Sequence, residues 1–535
     1  MMGRIRRRQL LDNLLTLAAV LAVLVLATIL VIVLGPIIGR GYSAISFHAT
    51  VEFRKMQFEL HNRGDEEALK EDMAAAEAAR KPVYDLLDSY NNSMAQFGDQ
   101  DHWLDRTDEI YDTVRTQLRE KKADYAVRKS IRGMRSDLRD VFRSKNEAEQ
   151  KKVLALVLAN EKDKRLEGTD AYKFFELAQQ YKKLMKRVPV TDYQALRTAL
   201  KKLFGPRLGE PKPKLAMQRF GVHRMDLAEK ALDNFLYDEQ WVSEGPGKLL
   251  VKKRIPRQKK FEGTDLEHLF PLVENNLKDM LRPEPTYYWS YFLDDSIPGH
   301  YFGGVGPEIL GTLLVTLLAV AIAFPIGVVS AAFLTEVASQ NLLFKLLRMC
   351  INTLAGVPSI VFGLFGLAFF VYYVTGKPCV FSAALTLAVL ILPVIIRASE
   401  EAIRAVPQSY KEAALGLGAS RSWCFLSVQF PAALPGILTG VILSIGRAAG
   451  ETAPILFTGA VAVGPALEVT GPNVLWQQTR MLSYSSYDMA VSDRVAAMVP
   501  HQQYGMVATL IVLVLLLNLV AIGIRWRISA RLRGG

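Results

Sequence analysis

The stretch Glu412-Ala413-Ala414-Leu415-Gly416-Leu417-Gly418, with Val428-Gln429-Phe430-Pro431 after it, decides how this chain is read. It sits between two long apolar runs. Alanines at 413 and 414 leave one helix face with little side-chain bulk, so another surface can approach closely. Glu412 offers that surface a charge. Gly418 permits a sharp turn, and Pro431 punctuates the chain ahead of the next apolar run. Glu400-Glu401-Ala402-Ile403-Arg404-Ala405-Val406-Pro407 leads into the segment. The tripeptide alone matches many amphipathic loop helices. The full spacing between membrane runs, on a side marked by basic residues, points to a docking helix.

The apolar runs are long enough to cross a bilayer, which takes about 20 residues. Leu14 to Ile38 carries no charge and follows Arg4, Arg6, Arg7 and Arg8. It exceeds the roughly 7–15 apolar residues of a signal peptide, so it reads as an uncleaved span at 14–38, with 1–13 in the cytoplasm. Five more spans are expected at 308–335, 344–374, 379–397, 434–461 and 505–525. Lys345 and Arg348 mark one connection. Arg397, Arg404, Lys411 and Arg421 mark another, and Arg525, Arg527, Arg531 and Arg533 mark the tail. Six spans place all of these, and both termini, in the cytoplasm. Asn352, Pro358, Gly363 and Gly366 interrupt the third run, which neighbouring helices can tolerate by satisfying the freed backbone.

Residues 39–305 then form an extracytoplasmic inserted domain. Charged residues make up 22% of the chain, and its net charge of +12 is distributed through this middle as well as through the loops. Asp65 to Arg80 reads as an exposed helix, and Tyr111 to Arg143 continues helical. Phe204-Gly205-Pro206 opens a turn cluster. Lys252-Lys253-Arg254 and Lys259-Lys260 form a basic patch, and Tyr287, Tyr288, Trp289 and Tyr291 read as an interfacial aromatic belt. Cys350, Cys379 and Cys424 are too dispersed for a zinc site or a disulfide framework. The chain contains no H-E-x-x-H and no G-x-x-x-x-G-K-[ST], so it lacks both a zincin signature and a P-loop.

Charge inside the fifth run is the second signal. Arg447 and Glu451, in Ser444-Ile445-Gly446-Arg447-Ala448-Ala449-Gly450-Glu451-Thr452-Ala453-Pro454, are four residues apart and share a helix face. A charge at membrane depth costs about 2.5–3.5 kcal/mol even on the lenient insertion scale, so such residues pair or line a polar path. A guanidinium fork also matches two oxygens of a tetrahedral oxyanion. Gly446 and Gly450 leave room for another helix or a ligand. An ion pair that fixes helix packing is the plainer alternative. Arg397, closing the fourth run, either reaches the interface or adds a second cation to the path.

These segments, with Gly306-Pro307-Glu308-Ile309-Leu310-Gly311-Thr312-Leu313 and Ala355-Gly356-Val357-Pro358-Ser359-Ile360-Val361-Phe362-Gly363, resemble the permease A family of bacterial phosphate-specific (Pst) ABC transporters. The resemblance covers about 305–535 and the first span. It implies an all-α polytopic protein with a type I ABC importer core of six transmembrane helices at 306–535 plus the first span, a coupling loop at 398–431, and a mostly helical inserted domain. It implies a subunit that carries phosphate inward by alternating access and is not itself an enzyme. The partners implied are a second homologous permease, two cytoplasmic ATPase subunits and a periplasmic phosphate-binding protein, in a bacterial inner membrane and without nucleic acid. This chain would bind no cofactor; ATP and Mg would belong to the ATPase. Arg397, Arg447 and Glu451 match the family's intramembrane charged positions, and Glu412, Ala413, Ala414 and Gly418 match its ATPase-coupling positions. The insertion departs from shorter members and fits a longer subset. Three rival readings stand beside this one: a permease for sulfate, molybdate or a phosphonate; a membrane-anchored sensor or scaffold; and an enzyme in the middle domain, against which the sequence offers no Ser/His/Asp arrangement, metal cluster or carboxylate pair with persuasive spacing.

Overall fold

A computed structural model describes residues 2–120, 124–144, 146–162, 166, 169–185, 190–207, 210, 213, 218–243, 250–262, 264–297, 300–338, 341–461, 464–468, 471–491 and 499–533. The chain forms two compact units, Met1–Phe47 with Thr286–Gly535, and His48–Pro285. Residues 39–47 and 286–305, read from sequence as part of the insertion, therefore fold with the spans.

Five helices of the first unit are long and apolar enough to cross a membrane: Leu14–Tyr42, Gly306–Val337, Val380–Arg404, Arg421–Gly450 and Pro500–Arg531. Val380–Arg404 is the central one, with Ala383, Ala384, Leu387, Ile391 and Ile395 fully buried among Val315, Ala319, Ala323 and Ala448. Ala402 lies against Gly436 and Ala398 against Gly440, so Val380–Arg404 and Arg421–Gly450 run antiparallel and close together. The first helix meets the last where Arg40 donates to the Tyr504 hydroxyl at 2.8 Å.

Two expected spans differ in outline. The run at 344–374 is two helices, Leu342–Leu354 and Ser359–Thr375, that meet at 101°. Pro358, held at ψ 138°, cannot continue a helix begun before it. No residue of Leu342–Leu354 is buried within the chain, and it carries Lys345 and Arg348, which suits a helix lying along a membrane face rather than through it. The run at 434–461 is displaced toward the N-terminus. Its helix begins at Arg421, passes through a π-turn at Phe425–Gln429 and stops at Gly450. Pro431 has no amide to give the Ser427 carbonyl, and the ladder just before it takes the wider register, with the Phe430 amide donating to Phe425. Beyond Gly450 the backbone of Glu451 is extended, and a separate short helix, Ala453–Thr458, follows. That short helix packs on the other broken segment. A side chain at Gly363 would collide with the Ala453 carbonyl and Pro454, and one at Gly366 with Thr386 and Thr458.

The second unit is mostly helical, with one antiparallel hairpin of Tyr237–Ser243 and Leu250–Pro256. One core gathers Trp103, Val114, Ile131, Leu138, Leu154 and Phe174; another gathers Val83, Leu196, Phe235, Phe261, Phe270 and Met280. Asp65 caps Glu66–Gly98 by accepting from the Glu67 amide at 2.9 Å. This helix is exposed along much of 65–80, as expected, and buries Leu69, Ala76 and Arg80 on its other face. The stretch 111–143 is divided between Gln100–Glu120 and Tyr125–Arg143, with 121–123 outside the described residues. The basic patch is partly neutralised, since Arg254 pairs with Asp233 and Lys260 bridges Asp192 at 3.1 Å and Asp238 at 2.8 Å. Of the aromatic belt, Tyr287 and Trp289 are exposed, whereas Tyr288 and Tyr291 are buried.

His223 is buried in the second unit beside Arg224, and burial first, then the neighbouring guanidinium, pushes its imidazole down to about 3. That value lies below the ordinary 6.5, so the unfolded chain takes the proton first. The contribution to stability is complete above about pH 6.5 and is lost progressively as pH falls toward 3. Amide exchange of Met225–Leu236 in the full chain, corrected for intrinsic rates, should therefore accelerate between about pH 7 and 5, and more steeply than in His223→Asn. Equal pH slopes in the two proteins would refute this.

Candidate functional site

The signature segment folds as Gln408–Gly416, a nine-residue helix with no buried residue. It starts after Pro407 and ends in a Schellman motif. The Gly418 amide donates to the Leu415 carbonyl at 2.9 Å and the Ala419 amide to that of Ala414 at 3.2 Å. Gly418 sits at φ +87°, in the left-handed region that favours glycine. Glu412 and Ala413 face out, Ala414 is half-buried, and Leu417 is 91% exposed. Leu417, Trp423, Val428, Ala414 and Gly418 line an open apolar hollow of about 580 Å³.

The helix joins a cluster of charges. Lys411 pairs with Glu336, which also accepts from Gln429 Nε2 at 3.1 Å. Arg348 Nε lies 3.2 Å from Glu400, and its Nη2 donates to the Leu334 carbonyl at 2.6 Å. Arg404 Nη2 meets Glu400 at 2.5 Å. Arg525 Nη1 donates to Thr439 Oγ1 at 3.0 Å, one residue from the contact between Gly440 and Ala398. The basic groups of both expected cytoplasmic connections, Arg348, Arg404 and Lys411, thus lie at one end of the bundle, and Arg525 of the tail stands nearer to that end than Arg447 does.

Arg447 and Glu451 are brought together, with Nε and Oε1 at 3.4 Å. They do not share a continuous helix face, because Glu451 lies just past the last helical residue; its extended backbone still returns the carboxylate to the guanidinium. The Arg447 side chain is about one-third exposed. A side-chain methyl at Gly446 would just reach Asn518 and Val514 of the last helix, and space is open beside Gly450. Arg397 does not close its helix, which continues to Arg404, and its side chain is exposed. From the antiparallel contacts of Ala398 and Ala402, Arg447 lies about 9 Å further along the bundle axis than Arg397, at about 1.5 Å per residue.

The opposite end holds charges that the sequence reading passed over. Glu308, fully buried in the first turn of Gly306–Val337, faces Arg480 Nη1 at 3.4 Å. Arg480, 4% exposed, also pairs with Asp295 and donates to Ser296 Oγ at 3.0 Å. A carboxylate at the head of an apolar helix was a visible signal; Arg480 lies in a connection with no apolar periodicity to draw attention to it.

The family described as binding-protein-dependent transport system inner membrane component matches residues 309–534. Over 246 residues the chain is 32% identical to the phosphate transport system permease protein PstA 1 of Mycobacterium tuberculosis, covering 46% of this chain and 77% of that one. The chain belongs to this family of permeases, and within it to the PstA type. It is 39% identical over 168 residues to the probable ABC transporter permease protein YqgI of Bacillus subtilis, which is 31% of this chain and 57% of that protein. It is 37% identical over 156 residues to the PstA of Xylella fastidiosa, 29% and 54% of the two chains. The permease is an all-α membrane subunit with an ABC importer fold, and the matched region excludes the inserted unit His48–Pro285.

In the permease, Arg480 neutralises a carboxylate that has no access to water. Removing one partner of such a buried pair costs about 3–5 kcal/mol, because the other charge is left uncompensated. Arg480→Met should therefore lower the thermal unfolding temperature in detergent markedly. Adding Glu308→Gln to it should recover part of the loss; a double variant no more stable than the single would exclude this pairing.

Proposed function

We propose that this permease carries inorganic phosphate into the cytoplasm as one subunit of an ATP-driven, binding-protein-dependent importer. One observation carries the transport reading: a short helix with no buried residue, closed by a complete C-terminal cap, stands at the end of the bundle where the basic groups collect. Positive loops are retained in the cytoplasm, so that end and both termini face the ATPases. The inserted unit then lies on the extracytoplasmic side, where a phosphate-binding protein delivers its anion. Glu412, Ala413, Ala414 and Gly418 form this chain's share of the surface that receives the two ATPase subunits, one beneath each permease, with ATP and Mg held there and not by this chain. The second permease completes the pathway.

In this reading Arg447 meets the anion. Its guanidinium stands at a helix break with open space beside Gly450, and Glu451 serves as its counter-ion when the path is empty. An anion displaces that carboxylate and then leaves, because the pair re-forms and limits how tightly the site can hold. Arg397, exposed on the neighbouring helix at a different depth, adds a second cation as the subunits rock between outward and inward states. Phosphate is favoured over other oxyanions by the relatives, whose names specify phosphate transport.

In proteoliposomes containing the whole complex, Arg447→Gln should lower labelled phosphate uptake by about tenfold or more while the ATPase subunits still co-purify. Excess sulfate should not compete in the unsubstituted complex. Unaltered uptake would reduce Arg447 to a packing residue, and full competition by sulfate would overturn the phosphate assignment.

A further inference from the structure

We propose that Glu336 is a positioning residue of the transport cycle. It fastens the helix Gln408–Gly416 to the end of Gly306–Val337, so that displacement of that helix is delivered sideways to this span as well as along its own chain. The inference rests on the coupling reading above.

A helix of nine residues is marginal by itself, and this one buries no side chain. Its position depends on its tethers. Along the chain these are Ala405-Val406-Pro407 on one side and Leu417 to Ser420 on the other. Cys424 Sγ donates weakly to the Lys411 carbonyl at 3.8 Å, and the tether that reaches the span Gly306–Val337 is Lys411 on Glu336. The same carboxylate takes Gln429 at 3.1 Å, and Gln429 is buried at the root of the next span. One carboxylate therefore closes a ring through three elements: the end of Gly306–Val337, the coupling helix and the start of the helix that carries Arg447.

The backbone under Glu336 is specialised. Phe333–Val337 is a π-turn, with the Ala338 amide donating to the Phe333 carbonyl at 2.9 Å. Its Leu334 carbonyl receives Arg348, whose Nε also faces Glu400, so the same turn holds the lateral helix Leu342–Leu354. A pull on Lys411 thus reaches a wide, adjustable turn on which two further helices are hung. The Lys411 and Glu336 side chains are 35% and 22% exposed, so water screens the pair less than it would a fully open surface bridge.

The test uses the complete complex in proteoliposomes, with Leu417→Cys as a crosslinking reporter for the ATPase. In Glu336→Ala the crosslink and ATP hydrolysis should persist, while phosphate uptake falls about five- to fifty-fold. The exchanged pair Glu336→Lys with Lys411→Glu should recover uptake to within about twofold of the parent, which a variant damaged only in folding would not do. Unchanged uptake in Glu336→Ala, or an exchanged pair no better than Glu336→Lys alone, overturns the proposal. Absence of the crosslink in the parent complex overturns the coupling reading itself, and this proposal with it.

Discussion

Peptide groups inside hydrocarbon have no water to bond, so a chain that breaks its helices there must bury each break against protein. Among the described residues this permease interrupts two apolar runs, one beside the lateral helix, where Gly356 and Pro358 are exposed within the chain, and one in the bundle, where Glu451 and Thr452 are half-buried. One lies at Gly356-Val357-Pro358, where a 101° turn separates a lateral helix from a membrane helix. The other lies at Glu451-Thr452, where the helix carrying Arg447 ends. The two broken segments lie against each other, with Gly363 and Gly366 allowing Ala453–Thr458 to approach at backbone distance. The strings most characteristic of the chain's family, remote in sequence, are thus two sides of one contact. The charged pair of Arg447 and Glu451 sits at the second of these breaks, where the extended backbone of Glu451 still returns its carboxylate to the guanidinium.

Charge follows the same constraint at both ends. Glu308 is tolerated without water because Arg480, whose backbone packs against Gly311 one turn along the same helix, reaches it. Glu336, Glu400, Lys411, Arg348 and Arg404 form a network at the opposite end, where part of each side chain meets solvent. The buried pair holds structure together, and the open network joins elements that must shift relative to one another. Ion pairs of partial exposure suit the second task, because re-forming them costs little.

Much of this was legible along the chain. The helix Gln408–Gly416 and its stop at Gly418 follow from local turn chemistry, which needs no tertiary information. The pairing of Arg447 with Glu451 follows from spacing, although not the break between them. Apolar length alone could not resolve the run at 344–374, because Pro358 changes its direction without changing its hydropathy. Lys345 and Arg348, both within the first five residues of that run, were the available sign that its first part differs from the rest. The helix over 65–80 is exposed over much of its length, but its buried face was not legible, because alanines bury as readily as they face water; only tertiary packing distinguishes Ala76 from its neighbours. Glu336 and Gln429 gave no sequence signal as partners, since 93 residues separate them.

The account depends most on which side of the bilayer carries the helix Gln408–Gly416. Leu417 is its most exposed apolar neighbour, and Cys379 and Cys424 are buried, so Leu417→Cys in a Cys350→Ser background supplies a single accessible thiol among the described residues. A membrane-impermeant maleimide applied to sealed vesicles stripped of ATPase should label it in inside-out preparations and leave it unlabelled in right-side-out ones. Labelling confined to right-side-out vesicles would contradict the account.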